Sequence, residues 1–171
     1  MEVLNTTTVG NVTLKIIDAI IDFPGEFTAA ITANNLTAFS SALSSAGLLN
    51  PINTLHGVTI FAPTDDAFAA AQQNLTAAGS NSTLLNIILE NHIINGSTIY
   101  SGDFQGHSSS LTTGSGESLS STFNSSGGFI TSGNVTAKIV TPDIVLWNGV
   151  LHIVDHVLLN EQSDSGAASS A

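Results

Sequence analysis

Residues Thr59 to Phe68 read TIFAPTDDAF, an apolar run that stops at a proline and continues into an acidic pair. The run from Val58 to Ala62 has the composition of a mostly buried strand. Pro63 ends the strand pairing because proline has no amide hydrogen to donate. Thr64 is a residue type that caps helix N-termini well. The stretch therefore predicts a buried strand that leads directly into a helix.

Asp65 and Asp66 fall in the first turn of that helix. Acidic side chains there face the positive end of the helix dipole, and each contributes roughly 0.3–1 kcal/mol. Metal binding is the alternative for such a pair. Capping is the interpretation we favour, which makes this stretch a signature of the fold and not a reactive site.

Two further stretches follow in the chain. Leu89 to Gly96 reads LENHIING, and Asn148 to Leu159 reads NGVLHIVDHVLL. Together with TIFAPTDDAF, they resemble the sequence boxes of the fasciclin domain, in the family's order and over roughly 100 residues. Asn91 stands where the family usually has tyrosine, and His92 is kept. The resemblance implies an α+β fold, a compact β-wedge of two sheets with a layer of helices, and a role in adhesion.

The resemblance extends from about Val9 to Leu159, and the segment from Ile17 to Leu48 is similar to fungal members of the family. A chain of 171 residues with 42% hydrophobic content suits one domain. We expect an N-terminal extension over residues 1–8, a single fasciclin-like domain over residues 9–160, and a disordered Ser/Gly/Ala-rich tail over residues 161–171.

The tail resembles the spacer upstream of a lipid-anchor site, although no hydrophobic segment follows it. A lipid anchor in the full-length protein therefore stays open. No stretch approaches 18 consecutive apolar residues, so we expect no direct membrane span.

Hydrophobic periodicity predicts helices in the first half of the chain. Leu14, Ile17 and Ile21 have helical spacing, which predicts a helix that Pro24 and Gly25 end. Other predicted helices cover 27–32, 37–46 with Thr37 as the cap, and segments that begin near 65 and 83. From Ile93 the period falls to two, which indicates short antiparallel strands. The predicted strands lie at 98–100, 118–123, 129–131, 135–140, 144–146 and 150–157, and residues 106–116 are predicted to be a loop.

The charge balance excludes several partners. Lys15 and Lys138 are the only basic residues apart from histidine, against 13 acidic ones, and the net charge is −11. Binding to phosphates needs clustered lysine and arginine. Nucleic acids and anionic membrane surfaces are therefore excluded as expected partners.

Acceptor sites for N-glycosylation are in excess. The chain has 15 asparagines and 41 serines and threonines among 171 residues, which give about 3.6 acceptor sites by chance, and it has eight. The eight acceptor asparagines are Asn5, Asn11, Asn35, Asn74, Asn81, Asn95, Asn124 and Asn134. The excess predicts an extracellular glycoprotein, secreted or anchored at the cell surface, although a Ser/Thr-rich chain also forms such sites by accident.

The sequence predicts neither an enzyme nor a cofactor or metal site. His152 and His156 lie in a strand pattern, where four residues span about 13 Å, so the two imidazoles cannot share one metal. Cysteine is absent, and no nucleophile elbow or phosphate-binding loop occurs. His92 fits a hydrogen-bonded core histidine better than a catalytic base.

Thr141 to Ile144 reads TPDI and resembles the Pro-Asp-Ile element that animal fasciclin domains carry before the last box, which has been linked with integrin recognition. Asp143, Ile144 and His92 are therefore candidate adhesion contacts. The alternative is that Asp143 belongs to a turn and that Ile144 begins a strand. Trp147 is either a core anchor or an exposed contact.

Two functions stay open at this point. The first is a secreted or cell-surface glycosylated protein that mediates cell adhesion or association with extracellular matrix or cell wall, through surface or matrix proteins, polysaccharides or copies of itself. The second is a polysaccharide- or small-molecule-binding module, or a degenerate hydrolase, of the same fold. A cleft with convergent polar groups would distinguish the second from the first.

Overall fold

A computed structural model of the chain describes residues 3–17, 24–71, 82–104 and 110–159. In these ranges the helices are α1 (Phe27–Ala33), α2 (Thr37–Ser45), α3 (Leu49–Thr54), α4 (65–71) and α5 (Ser82–Glu90), with a short 3-10 helix at Ser101–Phe104. The strands are β1 (Val3–Val9), β2 (Val12–Ile17), β3 (Val58–Pro63), β4 (Ile93–Ile94), β5 (Ser110–Thr112), β6 (Ser118–Asn124), β7 (Gly127–Ser132), β8 (Val135–Leu146) and β9 (Gly149–Val154).

The strands form two sheets. β1 and β2 make an antiparallel hairpin, and the other seven strands form one sheet in the order β4-β3-β9-β8-β7-β6-β5. The long strand β8 lies in the middle of that sheet. The first half of β8 pairs with β7 and its second half pairs with β9, so β8 joins the two halves of the sheet. The α+β expectation is confirmed.

The parallel pair β3–β9 brings the first and last sequence boxes together. The two strands run in register from Val58 opposite Gly149 to Pro63 opposite Val154, and every residue of both strands is buried. Gly149 is required there because a Cβ atom at this position would lie 1.9 Å from the carbonyl oxygen of Val58. The close approach of the two backbones therefore explains the glycine of the Asn-Gly-Val box.

Apolar side chains form two cores, one on each side of this strand pair. In the larger core, the rings of Phe27 and Phe39 meet edge to face with centroids 6.4 Å apart, and Phe68 lies 6.1 Å from Phe39. The smaller core contains Phe61 and lies on the side of β6, β7 and the first half of β8. Phe61 and Phe68 are both buried.

The predicted N-terminal helix is wrong where the structure describes it. Residues Val12–Ile17 form strand β2, and residues 18–23 lie outside the described ranges. Four of the six residues of β2 are β-branched, which favours a strand. Gly10 adopts a positive φ of 61° in the two-residue turn that joins β1 to β2. Because β1 begins at Val3, the predicted domain boundary between residues 8 and 9 falls inside the hairpin.

The remaining differences are local. Helix α3 was not predicted, and residues 98–100 form no strand. The predicted strands at 135–140 and 144–146 are parts of one strand, β8, whose pairing with β9 shifts register on both sides of Thr141. Strand β5 lies within the predicted loop, and the expected tail lies outside the described residues. The division of the chain into extension, domain and tail stays a prediction.

Replacement of Gly149 by alanine tests the close approach of β3 and β9. We expect Gly149→Ala to lose most of the free energy of unfolding, because the new Cβ would force two buried strands apart. Urea unfolding followed by circular dichroism measures the change. Gly102→Ala is the matched control, since a Cβ at Gly102 meets no atom within 4 Å. A Gly149→Ala protein as stable as the Gly102→Ala protein would contradict this account of the pair.

Candidate functional site

The acidic pair after β3 was predicted to cap the helix that it begins, but Asp65 caps a different helix. The hydroxyl of Thr64 accepts a hydrogen bond from the amide of Ala67 at 3.2 Å and so caps α4. The carboxylate of Asp65 accepts hydrogen bonds from the hydroxyl of Thr37 and, at 2.9 Å, from the amide of Ala38 at the start of α2. The hydroxyl of Thr37 lowers the pKa of Asp65 most. The prediction that Thr37 caps α2 is therefore wrong. The carboxylate of Asp65 caps α2, and the hydroxyl of Thr37 donates to that carboxylate.

His92 is a fully buried core histidine. The amide of Leu158 donates to its Nε2 atom at 2.9 Å, so the hydrogen of the neutral ring lies on Nδ1, which donates to the carbonyl of Ile88 at 2.7 Å. Burial lowers the pKa of His92 to about 4, against the opposing effect of the Ile88 carbonyl. Because no part of His92 reaches the surface, its assignment as an adhesion contact is corrected to a structural role.

His152 is also buried, and it holds the other tautomer. The amide of Asp143 donates to its Nδ1 atom at 3.2 Å, so Nε2 carries the hydrogen and donates to the carbonyl of Ile99 at 2.8 Å. The ring stacks on Phe61 with centroids 5.5 Å apart. Burial lowers the pKa of His152, although the Ile99 carbonyl and the charge of Asp143 oppose the shift.

The TPDI segment is partly exposed, since Thr141 and Pro142 are exposed whereas Asp143 and Ile144 are half-buried. Asp143 has a positive φ of 60°, in the irregular part of β8. Its carboxylate accepts hydrogen bonds from both the amide, at 2.7 Å, and the hydroxyl of Ser101. Ile144 is half-buried and packs against the larger core. These contacts favour a structural role for the segment, and recognition through Asp143 and Ile144 stays a prediction.

The hydrogen bonds between Asp143 and Ser101 could not be predicted from the sequence. The two residues are 42 positions apart, and Ser101 is one of many serines in the chain. Long-range contacts bring them together, since Thr59 of β3 and His152 of β9 bind the segment that leads to Ser101.

The histidines do not converge. His152 lies within β9, whereas His156 lies beyond the strand, is largely exposed and contacts Asp155 at 2.7 Å. Within the described ranges, no three side chains of the metal-binding types cluster closely enough to hold an ion. His107 lies outside those ranges.

Trp147 is an exposed aromatic residue in the turn between β8 and β9. Its side chain is 48% exposed and meets the ring of exposed His56 edge-on, with centroids 5.9 Å apart. Its backbone amide donates to the carbonyl of Gly25 at 3.1 Å, which fixes the turn against the segment before α1. Val145, near the end of β8, is also 48% exposed. Of the two alternatives for Trp147, the exposed contact agrees with the structure.

The glycosylation candidates are all exposed where the structure describes them. Six of the eight acceptor asparagines lie in described ranges, and each is exposed; they are Asn5, Asn11, Asn35, Asn95, Asn124 and Asn134. Of the six described asparagines outside acceptor sites, only Asn50 is exposed, and Asn91 and Asn148 are buried. Asn74 and Asn81 lie outside the described ranges. Surface access and acceptor pattern therefore coincide.

Comparison with known proteins gives a consistent result. A family model described as the fasciclin domain matches residues 34–160. A fasciclin-like arabinogalactan protein of Cercospora beticola is 28% identical over 87% of this chain and 38% of its own length. One from Arthroderma benhamiae is 27% identical over 92% of this chain and 35% of its own length. The chain thus spans less than half of the length of these two relatives.

A solved structure agrees with these matches. It is described as a FAS1 domain pair from the insect cell adhesion molecule fasciclin I. The likeness has a TM-score of 0.64 and 25% sequence identity, and it covers 72% of this chain and 44% of that one.

The burial of His92 predicts how stability depends on pH. Its pKa is about 4 in the folded chain and 6.5 in an unfolded one, so the unfolded state binds more protons between these values. The contribution of neutral His92 is complete above pH 6.5 and is lost as the pH falls towards 4. We expect a loss of roughly 3 kcal/mol between pH 7 and pH 4 from this residue.

Urea unfolding at several pH values measures this loss. His92→Gln keeps an uncharged hydrogen-bonding side chain, so it should be less stable at pH 7 but show a shallower fall in stability with acid. His56→Gln is the control for loss of a histidine, because His56 is exposed and its replacement should change the slope less than His92→Gln does. Equal slopes for His92→Gln and the unaltered chain would refute the role given to His92.

Proposed function

Because the chain belongs to the fasciclin domain family, we propose that it is a glycosylated extracellular domain, secreted or held at the cell surface, that mediates cell adhesion or association with matrix or cell wall. The observation that carries this proposal is the coincidence of acceptor pattern and exposure at six asparagines. Exposure is what a glycan requires, and the acceptor sites exceed chance twofold. The fold of a cell adhesion molecule supports the same function.

The chemistry of the described residues agrees with a binding role. Burial lowers the pKa of both buried histidines, whose rings bind backbone atoms, and the carboxylate of Asp143 is bound by Ser101. These polar groups are bound within the domain, where Nδ1 of His152 and the carboxylate of Asp143 lie 3.9 Å apart, and they stabilise its fold. No helix in the described part of the chain is long and apolar enough to span a membrane. We expect the partners to be surface or matrix proteins, polysaccharides or further copies of this domain. The proposal also includes a lipid anchor in the full-length protein.

Many weak contacts, multiplied by display on a surface, suit such a domain. With a net charge of −11 and two lysines, the chain has few groups for strong electrostatic attraction of acidic partners. Display of many copies raises the effective concentration and so strengthens overall attachment without a tight single site. We expect a monovalent affinity no better than about micromolar, roughly 8 kcal/mol.

One observation favours polysaccharide binding as a second candidate function. Trp147 and His56 present an exposed aromatic pair, and an indole face packs well against the apolar face of a sugar ring. The acidic character of the chain favours a neutral polysaccharide over an acidic one. The ligand would then lie across the turn between β8 and β9.

Glycosylation is tested by production of the chain in a eukaryotic secretory host. The protein should migrate well above its 17.5 kDa chain mass and return towards that mass after enzymatic deglycosylation. At least half of the eight acceptor sites should be occupied. Asn124→Gln and Asn134→Gln should each remove one glycan in mass spectrometry, whereas Asn50→Gln, at an exposed asparagine followed by Pro51, should remove none. A secreted protein at its bare chain mass would overturn the proposed glycoprotein.

Adhesion is tested with beads that carry the glycosylated chain at high density. They should aggregate or attach to cell walls, while soluble monomer competes only at micromolar concentrations or above. A nanomolar monovalent ligand held in a defined cleft would contradict the adhesion function and favour a dedicated binding module.

The polysaccharide candidate has a separate test. Trp147 is the single tryptophan of the chain, so its fluorescence reports directly on this surface. Titration with soluble neutral polysaccharides should shift its emission, and Trp147→Ala should abolish retardation in polysaccharide affinity gels. Tyr100→Ala is the control, because Tyr100 is an exposed aromatic residue outside this pair. Equal retardation of both variants would exclude Trp147 as the sugar contact.

A further inference from the structure

The β1–β2 hairpin exposes one apolar face. Cross-strand partners and alternate residues of a strand share a face. By this rule Val9, Val12, Leu14 and Ile16 lie on the same face of the hairpin, and each is more than 50% exposed. A two-stranded hairpin is marginally stable alone, and a contiguous exposed apolar face marks an interaction site.

The sequence of this hairpin repeats that of β9. Residues 11–21 read NVTLKIIDAII, and residues 148–158 read NGVLHIVDHVL. Asparagine, leucine, isoleucine and aspartate recur at the same positions, and three further positions exchange one aliphatic residue for another. Every residue in the first segment is 137 positions before its counterpart.

The pairing register repeats as well. Val9 pairs with Val12 across a two-residue turn, as Leu146 pairs with Gly149. The next two pairs, Thr8 with Thr13 and Thr7 with Leu14, match Val145 with Val150 and Ile144 with Leu151 at the same offset of 137. The β1–β2 hairpin therefore has the turn and the register of the β8–β9 hairpin.

The two hairpins differ in what covers them. Leu151 and Ile153, the counterparts of Leu14 and Ile16, are buried in the larger core, where β3 pairs with β9 in parallel. Leu14 and Ile16 are 51% and 52% exposed. The β1–β2 hairpin thus has apolar side chains at the positions that the β8–β9 hairpin buries in its core. In the described ranges, no strand equivalent to β3 pairs with β2.

We propose that the β1–β2 hairpin closes the sheet of a second fasciclin domain, encoded before residue 1 in the same polypeptide. The strand of that domain equivalent to β3 pairs in parallel with β2, and its core covers Leu14 and Ile16. The lengths of the fungal relatives agree, since this chain spans 38% and 35% of them and leaves room for another such domain.

One substitution between the hairpins limits how the second domain docks. Val12 takes the place of Gly149, whose missing Cβ lets Val58 approach. Because Val12 has a side chain, the strand of the second domain that is equivalent to β3 cannot approach β2 closely at Val12, and it pairs with β2 from Thr13 onward.

Cysteine accessibility tests the proposal, because the chain contains no cysteine of its own. Leu14→Cys and Ile16→Cys report on the apolar face. Thr8→Cys is the matched control, since its counterpart Val145 is 48% exposed in the closed hairpin. Each variant is prepared both in the 171-residue chain and in the full-length protein that the gene encodes, and the rate of alkylation by a maleimide is measured.

In the 171-residue chain all three thiols should react at similar rates. In the full-length protein, alkylation at positions 14 and 16 should slow at least about 100-fold, as for a side chain that is reached only through local opening, whereas position 8 keeps its rate. The residues before residue 1 should include a strand-proline-helix box of the TIFAPTDDAF type.

Several outcomes would overturn the proposal. They are a reading frame that begins at residue 1 or lacks such a box, and full reactivity of positions 14 and 16 in the full-length protein. Protection already present in the dilute 171-residue chain would show that the hairpin packs on its own domain. Protection that grows with concentration would show that a second copy covers it instead. The face that the second domain would cover includes Asn5, the partner of Ile16, and Asn11 takes the place of buried Asn148, so the glycans of the proposed function belong to the other acceptor sites. The thiol measurement itself does not involve glycans or adhesion, so failure of this proposal can be distinguished from failure of the proposed function.

Discussion

The parallel pairing of β3 with β9 is the constraint on which the rest of the domain depends. Val58 and Gly149 approach so closely that any side chain at position 149 would meet the Val58 carbonyl. The neighbouring Asn148 strengthens the junction, because its side-chain amide donates to the carbonyls of Ile52 and Leu55 at 2.9 and 3.1 Å. The end of α3, the start of β3 and the turn before β9 are thereby fixed together. The helices cover one side of this pair, and the smaller core forms on the other.

The sequence predicted the parts of the fold that depend on local patterns. Burial of the box from Val58 to Pro63, the cap at Thr64 and helices α1, α2 and α5 follow from composition and periodicity over a few residues. The helix expected around Leu14 was wrong because isoleucines at helical spacing also suit a strand, and the β-branched residues with the Gly10 turn decided the outcome. Period alone does not separate these alternatives in a short apolar run.

The polar contacts of the candidate site could not be predicted from local sequence patterns. Asp65 caps a helix that begins 28 residues earlier, and His152 and Asp143 meet backbone and hydroxyl groups near residue 100. Each partner is set by strand register and helix packing, which a single sequence does not specify. His92 and His152 illustrate the result, since each satisfies both ring nitrogens with backbone atoms but in opposite tautomers. Each ring therefore links segments that are far apart in sequence.

The order of synthesis gives the β3–β9 pair a further consequence. Gly149 follows Val58 by 91 positions, so a strand that is entirely buried in the folded domain leaves the ribosome long before its parallel partner exists. At synthesis rates of 5–20 residues per second, the wait is roughly 5–20 s. Until then β3 has one available neighbour, the two-residue strand β4, and its other edge is open to association with other chains. A strand that is entirely buried in the finished domain thus has an exposed edge, open to association with other chains, while the domain is being synthesised.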